Sequence, residues 1–174
     1  MNTRVLVSLA LLVGIGAVLH AVIPGIFFGM KPDMMLTMMF LAILLFPNVK
    51  AAGLVGIVTG IISAMTTSFP GGQIPNVIDK IITAFIFFAF VLLLKKYSQT
   101  LVSAAILTAV GTVVSGTIFL TAALLLVELP GGAAFSGLFL AVVLPTAVIN
   151  TIVMVIIYPI ASSIFKRMNI TAHA

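Results

Sequence analysis

The chain is 174 residues long, and 63% of its residues are hydrophobic whereas only 6% are charged. So few polar residues cannot cover the surface of a soluble globule, which excludes the soluble classes of protein. The net charge of +5 therefore does not indicate a nucleic-acid partner. With no cysteine and only two histidines, the composition predicts no disulfide, no metal site and no cofactor. We therefore predict an all-α integral membrane protein whose residues 1–174 form a single transmembrane domain.

Six apolar segments follow one another along the chain and predict six transmembrane helices. They cover about residues 5–23, 33–46, 51–65, 77–94, 101–127 and 135–165. The second segment is too short to cross a hydrocarbon core of about 30 Å unless it is tilted or shielded by protein. The last segment contains Pro145 and Pro159, each of which frees a helix carbonyl and favours a kink.

Basic and acidic residues alternate between the gaps that separate these segments. One set of gaps and both chain ends carry only bases, namely Arg4, Lys50, Lys95, Lys96, Lys166 and Arg167. The three acids, Asp33, Asp79 and Glu128, belong to the other set. Because basic loops stay in the cytoplasm during insertion and interact with anionic lipid, both termini are predicted to be cytoplasmic. The acid-bearing loops of this multi-pass cell-membrane protein then face outward.

The first outer loop presents a cation and an anion close together. Lys31 and Asp33 flank a proline, so an ammonium and a carboxylate can clasp one zwitterionic ligand. Alternatively, Asp33 caps the second helix, whose free N–H groups favour a carboxylate, while Lys31 reaches the lipid headgroups. The sequence leaves both interpretations open.

The second outer loop leads into the fourth helix and supplies four candidate substrate contacts, Phe69, Gln73, Asn76 and Asp79. The amide of Gln73 both donates and accepts hydrogen bonds, as a carboxylate or an ammonium ligand requires. Asn76-Val-Ile-Asp79 resembles a capping box, which favours a structural role, with Lys80 extending outward to the headgroups.

A cluster of methionines begins at the second helix and comprises Met30, Met34, Met35, Met38 and Met39. Flexible, polarisable side chains of this kind can mould around a flat aromatic ligand, and Met34 is the candidate contact. Packing within the bundle or contact with lipid is the alternative interpretation.

Two further polar residues lie within apolar segments. Asn150, near the middle of the last helix, must face other helices or a water-filled cavity, because lipid offers no hydrogen-bond partner. Interhelical bonding and ligand contact are equal alternatives for this residue. His20 is predicted to bond a neighbouring helix rather than a ligand.

Signatures of enzymes are missing from the sequence. It contains no phosphate-binding loop, no metalloprotease helix and no nucleophile elbow, so we predict no catalytic residues and no ATPase activity of its own. The first helix carries small residues at Ala10, Gly14 and Ala17, a spacing that lets another helix approach closely.

Four motifs make the chain similar to the TrpP family of bacterial tryptophan transport proteins. They are Gly-Met-Lys-Pro-Asp-Met-Met (29–35), Gly-Ile-Val-Thr-Gly-Ile-Ile-Ser-Ala (56–64), Phe-Pro-Gly-Gly-Gln-Ile-Pro-Asn (69–76) and Val-Leu-Pro-Thr-Ala-Val-Ile-Asn-Thr (143–151). The resemblance implies a six-helix S component of an energy-coupling-factor (ECF) transporter, which takes up tryptophan together with a transmembrane coupling subunit and two ATPase subunits. It also implies that Ala10 and Gly14 contact the coupling subunit.

The hypothesis is that zwitterionic tryptophan enters an outward cavity, with its indole among Met and Phe side chains. Its ammonium then lies near Asp33 or Asp79, and its carboxylate lies near Lys31 or an amide. An S component for a vitamin and a stand-alone, ion-coupled carrier for an aromatic amino acid are alternatives. The carrier requires an ionisable residue deep in the membrane, and the sequence predicts no carboxylate there.

Overall fold

The computed structural model describes residues 1–23, 32–94, 100–127 and 134–168. These residues form helices and no strand, which confirms the all-α prediction for this part of the chain. In chain order the helices are α1 (Thr3–Val22), α2 (Met34–Leu45), α3 (Val49–Met65), α4 (Gln73–Leu93), α5 (Leu101–Leu126) and α6 (Phe135–Arg167). Helix α4 thus begins four residues before its predicted start at residue 77.

Four of these helices, α1, α4, α5 and α6, are long and apolar enough to cross a membrane. Their outer surfaces carry exposed aliphatic side chains such as Val18, Leu125 and Leu140. In water such a surface would be unfavourable, whereas lipid tails solvate it. The shorter helices, α2 and α3, have 12 and 17 residues.

Helix α2 lies at the centre of the bundle and contacts each of the other five helices. Of its residues, only Leu45 is not fully buried. Because the surrounding helices shield α2 from lipid, it does not have to match the full thickness of the hydrocarbon core. Shielding by protein therefore accounts for the short second segment. Its methionines, including Met34, belong to the packed interior.

Side-chain caps fix where several helices begin. Asn2 accepts a hydrogen bond from the Arg4 N–H at the start of α1, and Asn48 accepts one from the Lys50 N–H at the start of α3. Thr100 accepts the N–H of Ser103 and caps α5. These side chains satisfy N–H groups that the first turn of a helix leaves without an internal partner.

Helices α3 and α4 pack closely through two glycines that lie one turn apart. A Cβ atom on Gly56 would lie 2.7 Å from the Cβ of Ala84, and one on Gly60 would lie 3.3 Å from the Cα of Val77. Lipid tails are as apolar as the side chains, so helices associate in membranes through such close packing. The contact sets the end of α3 beside the first turns of α4.

Helix α6 contains one irregular turn. An α-helical stretch (Phe135–Leu138) precedes a π-helical turn (Phe139–Val143), which continues into a second α-helical stretch (Leu144–Arg167). Pro145 follows the turn, and its ring lacks an N–H and clashes with the carbonyl four residues earlier in a regular helix. The wider π turn accommodates this proline. Val143, the last residue of the π turn, packs against Gly116 of α5. A Cβ atom on Gly116 would lie 2.5 Å from the Val143 Cγ1.

Candidate functional site

A cavity of about 110 Å³ lies at one end of the bundle. Its wall combines the last turns of α1 and α3, the first turns of α2 and α4, and inner residues of α5 and α6. The apolar part of the wall includes Phe69, Phe119, Leu120, Val142 and Val143. The remaining wall is formed largely by charged, amide and hydroxyl side chains.

Lys80 makes two ion pairs inside this cavity. Its Nζ lies 2.6 Å from the Oδ2 of Asp33 and 2.6 Å from the Oδ2 of Asp79. The lysine is only 2% exposed, and an unpaired charge at such a site would cost several kcal/mol of desolvation. The prediction that Lys80 extends outward to the headgroups is therefore wrong, because packing of α4 against α3 turns the side chain into the bundle.

Asp79 is completely buried and accepts hydrogen bonds from two hydroxyl groups in addition to its ion pair. The Thr83 hydroxyl donates to Oδ1 at 2.8 Å, and the Ser115 hydroxyl donates to Oδ2 at 2.9 Å. The second bond joins α4 to α5. Asp79 is the seventh residue of α4, so this buried carboxylate lies within an apolar helix, about two turns from its first residue. Whether any carboxylate lies deep in the membrane stays a prediction.

The capping-box interpretation of Asn76 and Asp79 is also wrong. Helix α4 begins at Gln73, with Gly72 before it and no side-chain cap, so both residues lie inside the helix. The Asn76 amide donates instead to the carbonyl of Gly72 at 2.8 Å, and Asn76 lines the cavity. Gln73 is exposed and lies outside the cavity wall.

Asp33 caps α2 and also forms an ion pair with Lys80. Its Oδ1 accepts the Leu36 N–H at 2.9 Å, which confirms that Asp33 caps α2. Its Oδ2 pairs with Lys80, and the Nδ1 of His20 lies 4.0 Å from Oδ1. The Asp33 side chain is 20% exposed, whereas that of Asp79 is 0% exposed. Of the two carboxylates, Asp33 is therefore the accessible one.

The structure brings together half of the predicted substrate contacts. Asp33, Phe69, Asn76 and Asp79 line the cavity. Met34 is buried in the interior away from the cavity wall. Lys31 lies outside the described residues, so its place in the clasp hypothesis stays a prediction.

Asn150 is fully buried one contact away from the cavity. Its amide donates to the Thr112 hydroxyl at 3.4 Å, and Thr112 lines the cavity. This bond joins α6 to α5, as the interhelical interpretation of Asn150 proposed. The Asn150 Oδ1 and the hydroxyls of Thr59 and Ser63 have no hydrogen-bond partner within the described ranges. Polar groups thus extend from the cavity into the interior.

Sequence reasoning missed Lys80, Ser115 and Phe119 as cavity residues. Thr108, Thr112 and Ser115 recur at spacings of four and three residues along α5, which places their hydroxyls on one helix face. That pattern predicts a polar face on an otherwise apolar helix, and it is the signal in the sequence that could have identified Ser115. No comparable local signal distinguishes Phe119 from the other phenylalanines.

The small residues of α1 lie on or beside its outer surface. Ala10 and Gly14 are exposed, and Ala17 is half-buried. A Cβ atom on Gly14 would meet no atom within 4 Å, so this surface is open to another helix. No cluster of three metal-ligating side chains occurs in the part of the chain that the structure describes.

Apolar helices around a buried, charged cavity define a multi-pass membrane protein with an internal polar site. A sequence profile described as "Tryptophan transporter TrpP" matches residues 2–166 of this chain. The chain therefore belongs to the TrpP family of tryptophan transporters.

Similar proteins cover nearly the whole chain. A protein named probable tryptophan transport protein from Bacillus subtilis is 59% identical, covering 96% of this chain and 95% of the relative. Proteins of the same name are 41% identical in Clostridium perfringens and 43% identical in Clostridium acetobutylicum. These two matches cover 97% and 91% of this chain, and the same shares of the relatives. No solved structure gives a significant match.

Proposed function

We propose that this protein is the substrate-binding membrane subunit for uptake of tryptophan into a bacterial cell. The observation that carries the proposal is one cavity in which a cation, two carboxylates and aromatic rings meet. Tryptophan offers a carboxylate, an ammonium and an indole, so each part of the ligand has a complementary group. The names of the relatives and the family membership support this choice of substrate.

The aromatic part of the cavity suits an indole ring. Phe69 and Phe119 stand edge to face, with ring centroids 5.2 Å apart and planes inclined by 85°. Such pairs present both ring faces and ring edges to a third aromatic group. At about 110 Å³ the cavity is smaller than the roughly 300–1,000 Å³ of most ligand sites. Binding of tryptophan therefore requires the cavity to widen.

We infer that all six helices span the membrane, with both termini in the cytoplasm and the cavity facing outward. Among the described Lys and Arg residues, Lys80 lies in the cavity, paired with two acids. The other four, Arg4, Lys50, Lys166 and Arg167, are exposed at helix ends opposite the ends that form the cavity. Asp33 and Asp79 belong to the cavity end. This separation of charge supports the proposed orientation.

Labelling of single cysteines tests this orientation, because the chain contains no cysteine of its own. Ser68 borders the cavity and Lys50 begins the opposite end of α3, and both side chains are exposed. In intact cells a membrane-impermeant maleimide should label Ser68→Cys, and it should label Lys50→Cys only after permeabilisation. The reverse pattern would contradict uptake from an outward cavity.

We further propose that a separate ECF coupling subunit and two ATPase subunits drive transport. The exposed small-residue surface of α1 at Ala10 and Gly14 supports a helix contact with that coupling subunit. A stand-alone ion-coupled carrier is the second candidate. It is favoured by the buried charges of Asp79 and Lys80 within α4, since ionisable groups inside apolar helices commonly serve ion or proton pathways.

Reconstitution of the purified protein in liposomes separates these functions. Tryptophan at about 100 times its Kd should stabilise the isolated protein by about 2.7 kcal/mol, since it binds only the folded form. The liposomes should not accumulate tryptophan until the coupling and ATPase subunits and ATP are added. Accumulation driven by a proton or sodium gradient alone would support the carrier, and saturable binding of a vitamin without tryptophan would exclude both.

A further inference from the structure

The charged cluster of the cavity contains two carboxylates and one ammonium. Asp33 and Asp79 both pair with Lys80, so with both carboxylates ionised these three side chains carry one excess negative charge. The Nδ1 of His20 lies 4.0 Å from the Asp33 Oδ1. Charges buried in protein are tolerated when they are paired in good geometry and their remaining lone pairs and protons are hydrogen-bonded. With two carboxylates for one lysine, the cluster has a carboxylate that can pair with the ammonium group of a ligand.

The two carboxylates differ in their exposure and in the hydrogen bonds that they already accept. Asp79 is 0% exposed and already accepts bonds from Thr83, Ser115 and Lys80. Asp33 is 20% exposed and accepts bonds from the Leu36 N–H and Lys80. A carboxylate has about four lone-pair positions, so Asp33 keeps acceptor capacity on its accessible side.

Donors for a ligand carboxylate lie across the same cavity. The ammonium of Lys80 has three N–H groups, two of which are directed at Asp33 and Asp79. Ser63 is 2% exposed, lines the cavity, and its hydroxyl has no partner in the portion of the chain that the structure describes. A buried hydroxyl without a partner is costly, so a ligand oxygen at this position is favourable.

Ser63 and Lys80 also lie on facing surfaces of α3 and α4. Ser63 follows Gly60 by three residues and therefore shares its helix face. A Cβ atom on Gly60 would lie 3.5 Å from the Cβ of Lys80. The two donors are thus directed at the cavity from neighbouring helices.

We propose that Asp33 binds the ammonium and Lys80 binds the carboxylate of an α-amino acid ligand, and that Asp79 is the fixed counter-ion that positions Lys80. This assignment rests on the proposed function and adds which side chain recognises which end of the ligand. Of the two carboxylates that the sequence offers for the ammonium, it chooses Asp33, and it adds Lys80 as a partner of the ligand carboxylate. Ser63 supplies a second donor to the carboxylate.

Three probes that differ only in their charged groups test the assignment. Tryptophan has both groups, tryptamine lacks the carboxylate, and indole-3-propionate lacks the ammonium. Binding of each probe to the full-length protein in detergent is measured by calorimetry. The Asp33→Asn variant removes the negative charge but keeps the helix cap, because Asn caps helices as well as Asp.

For Asp33→Asn we expect tryptophan and tryptamine to bind at least about tenfold more weakly. Binding of indole-3-propionate should not weaken, because Lys80 loses a competing anion. The complementary variant combines Lys80→Met with Asp79→Asn. The second substitution prevents Asp79 from remaining as a buried carboxylate without its cation. The double variant should weaken tryptophan and indole-3-propionate by about tenfold without weakening tryptamine, because Asp33 loses the competing ammonium of Lys80. Lys50→Met, which removes an exposed charge at the opposite end of α3, should alter none of these affinities.

Equal losses for all three probes in Asp33→Asn would overturn the assignment, since a residue that only supports the fold cannot discriminate between them. Unchanged affinities in both cavity variants would overturn it as well. These results differ from failure of the proposed function, in which the unmodified protein binds no tryptophan and the assignment falls with it. Thermal unfolding without ligand shows whether each variant is folded.

Discussion

Lys80→Met is expected to lower the free energy of unfolding by about 3–5 kcal/mol, the range observed when one partner of a buried ion pair is removed. Methionine matches the length of the lysine stem and fills its volume, so the loss is one of charge rather than of packing. The substitution leaves the carboxylates of Asp33 and Asp79 close together without the ammonium that bridges them at 2.6 Å. Thr83 and Ser115 still donate to Asp79, but hydroxyl groups do not neutralise a charge.

Thermal and denaturant unfolding in detergent measure this effect, with Lys50→Met as the matched control. Lys50 is exposed and forms no ion pair with a described residue, so its loss should change stability by less than about 0.5 kcal/mol. Adding Asp79→Asn to Lys80→Met should restore part of the lost stability, because one of the two unpaired carboxylates is then removed. Equal stability of Lys80→Met and Lys50→Met would contradict the buried ion network.

Much of the helical framework follows from the sequence because it depends on local composition. Long apolar segments separated by Pro, Gly and charged residues predict where helices begin and end. The alternation of charge along the chain predicts that Asp33 and Asp79 lie at the same end of the bundle. The central place of α2 does not follow in the same way. A short apolar segment can be tilted in the membrane or shielded from lipid by protein, and only tertiary packing decides between these arrangements.

The site itself was predicted less completely, for a physical reason. Asn76 and Asp79 have capping-box spacing, but this local preference applies only at a helix start, and α4 begins earlier, at Gln73. Outward extension of Lys80 requires a face turned to lipid, whereas Gly56 and Gly60 draw α3 onto this side of α4. Which face of a helix is buried depends on its partners, so the orientation of Lys80 could not be read from nearby residues.

Phe119→Ala is expected to weaken tryptophan binding by about 30- to 150-fold, which corresponds to about 2–3 kcal/mol. Phe119 is half-buried on the cavity wall, next to the more deeply buried Phe69. Its removal exposes one side of a bound indole to an enlarged, wetter cavity, and both the buried apolar area and the aromatic contact are lost. Calorimetry on the purified protein measures the affinity directly.

Phe85→Ala is the matched control, because Phe85 lies on α4 with 44% of its surface exposed and does not line the cavity. This variant should bind tryptophan as the unmodified protein does, although it removes the same side chain. Phe119→Leu separates area from aromaticity: it keeps most of the apolar contact, so the remaining loss of about 0.5–1.5 kcal/mol reports the ring interaction itself. If Phe119→Ala and Phe85→Ala bind tryptophan equally well, the indole does not occupy the Phe69 and Phe119 side of the cavity. The charged groups of the ligand would then have to reach Asp33 and Lys80 from another direction, so the aromatic and ionic tests together fix how the ligand lies.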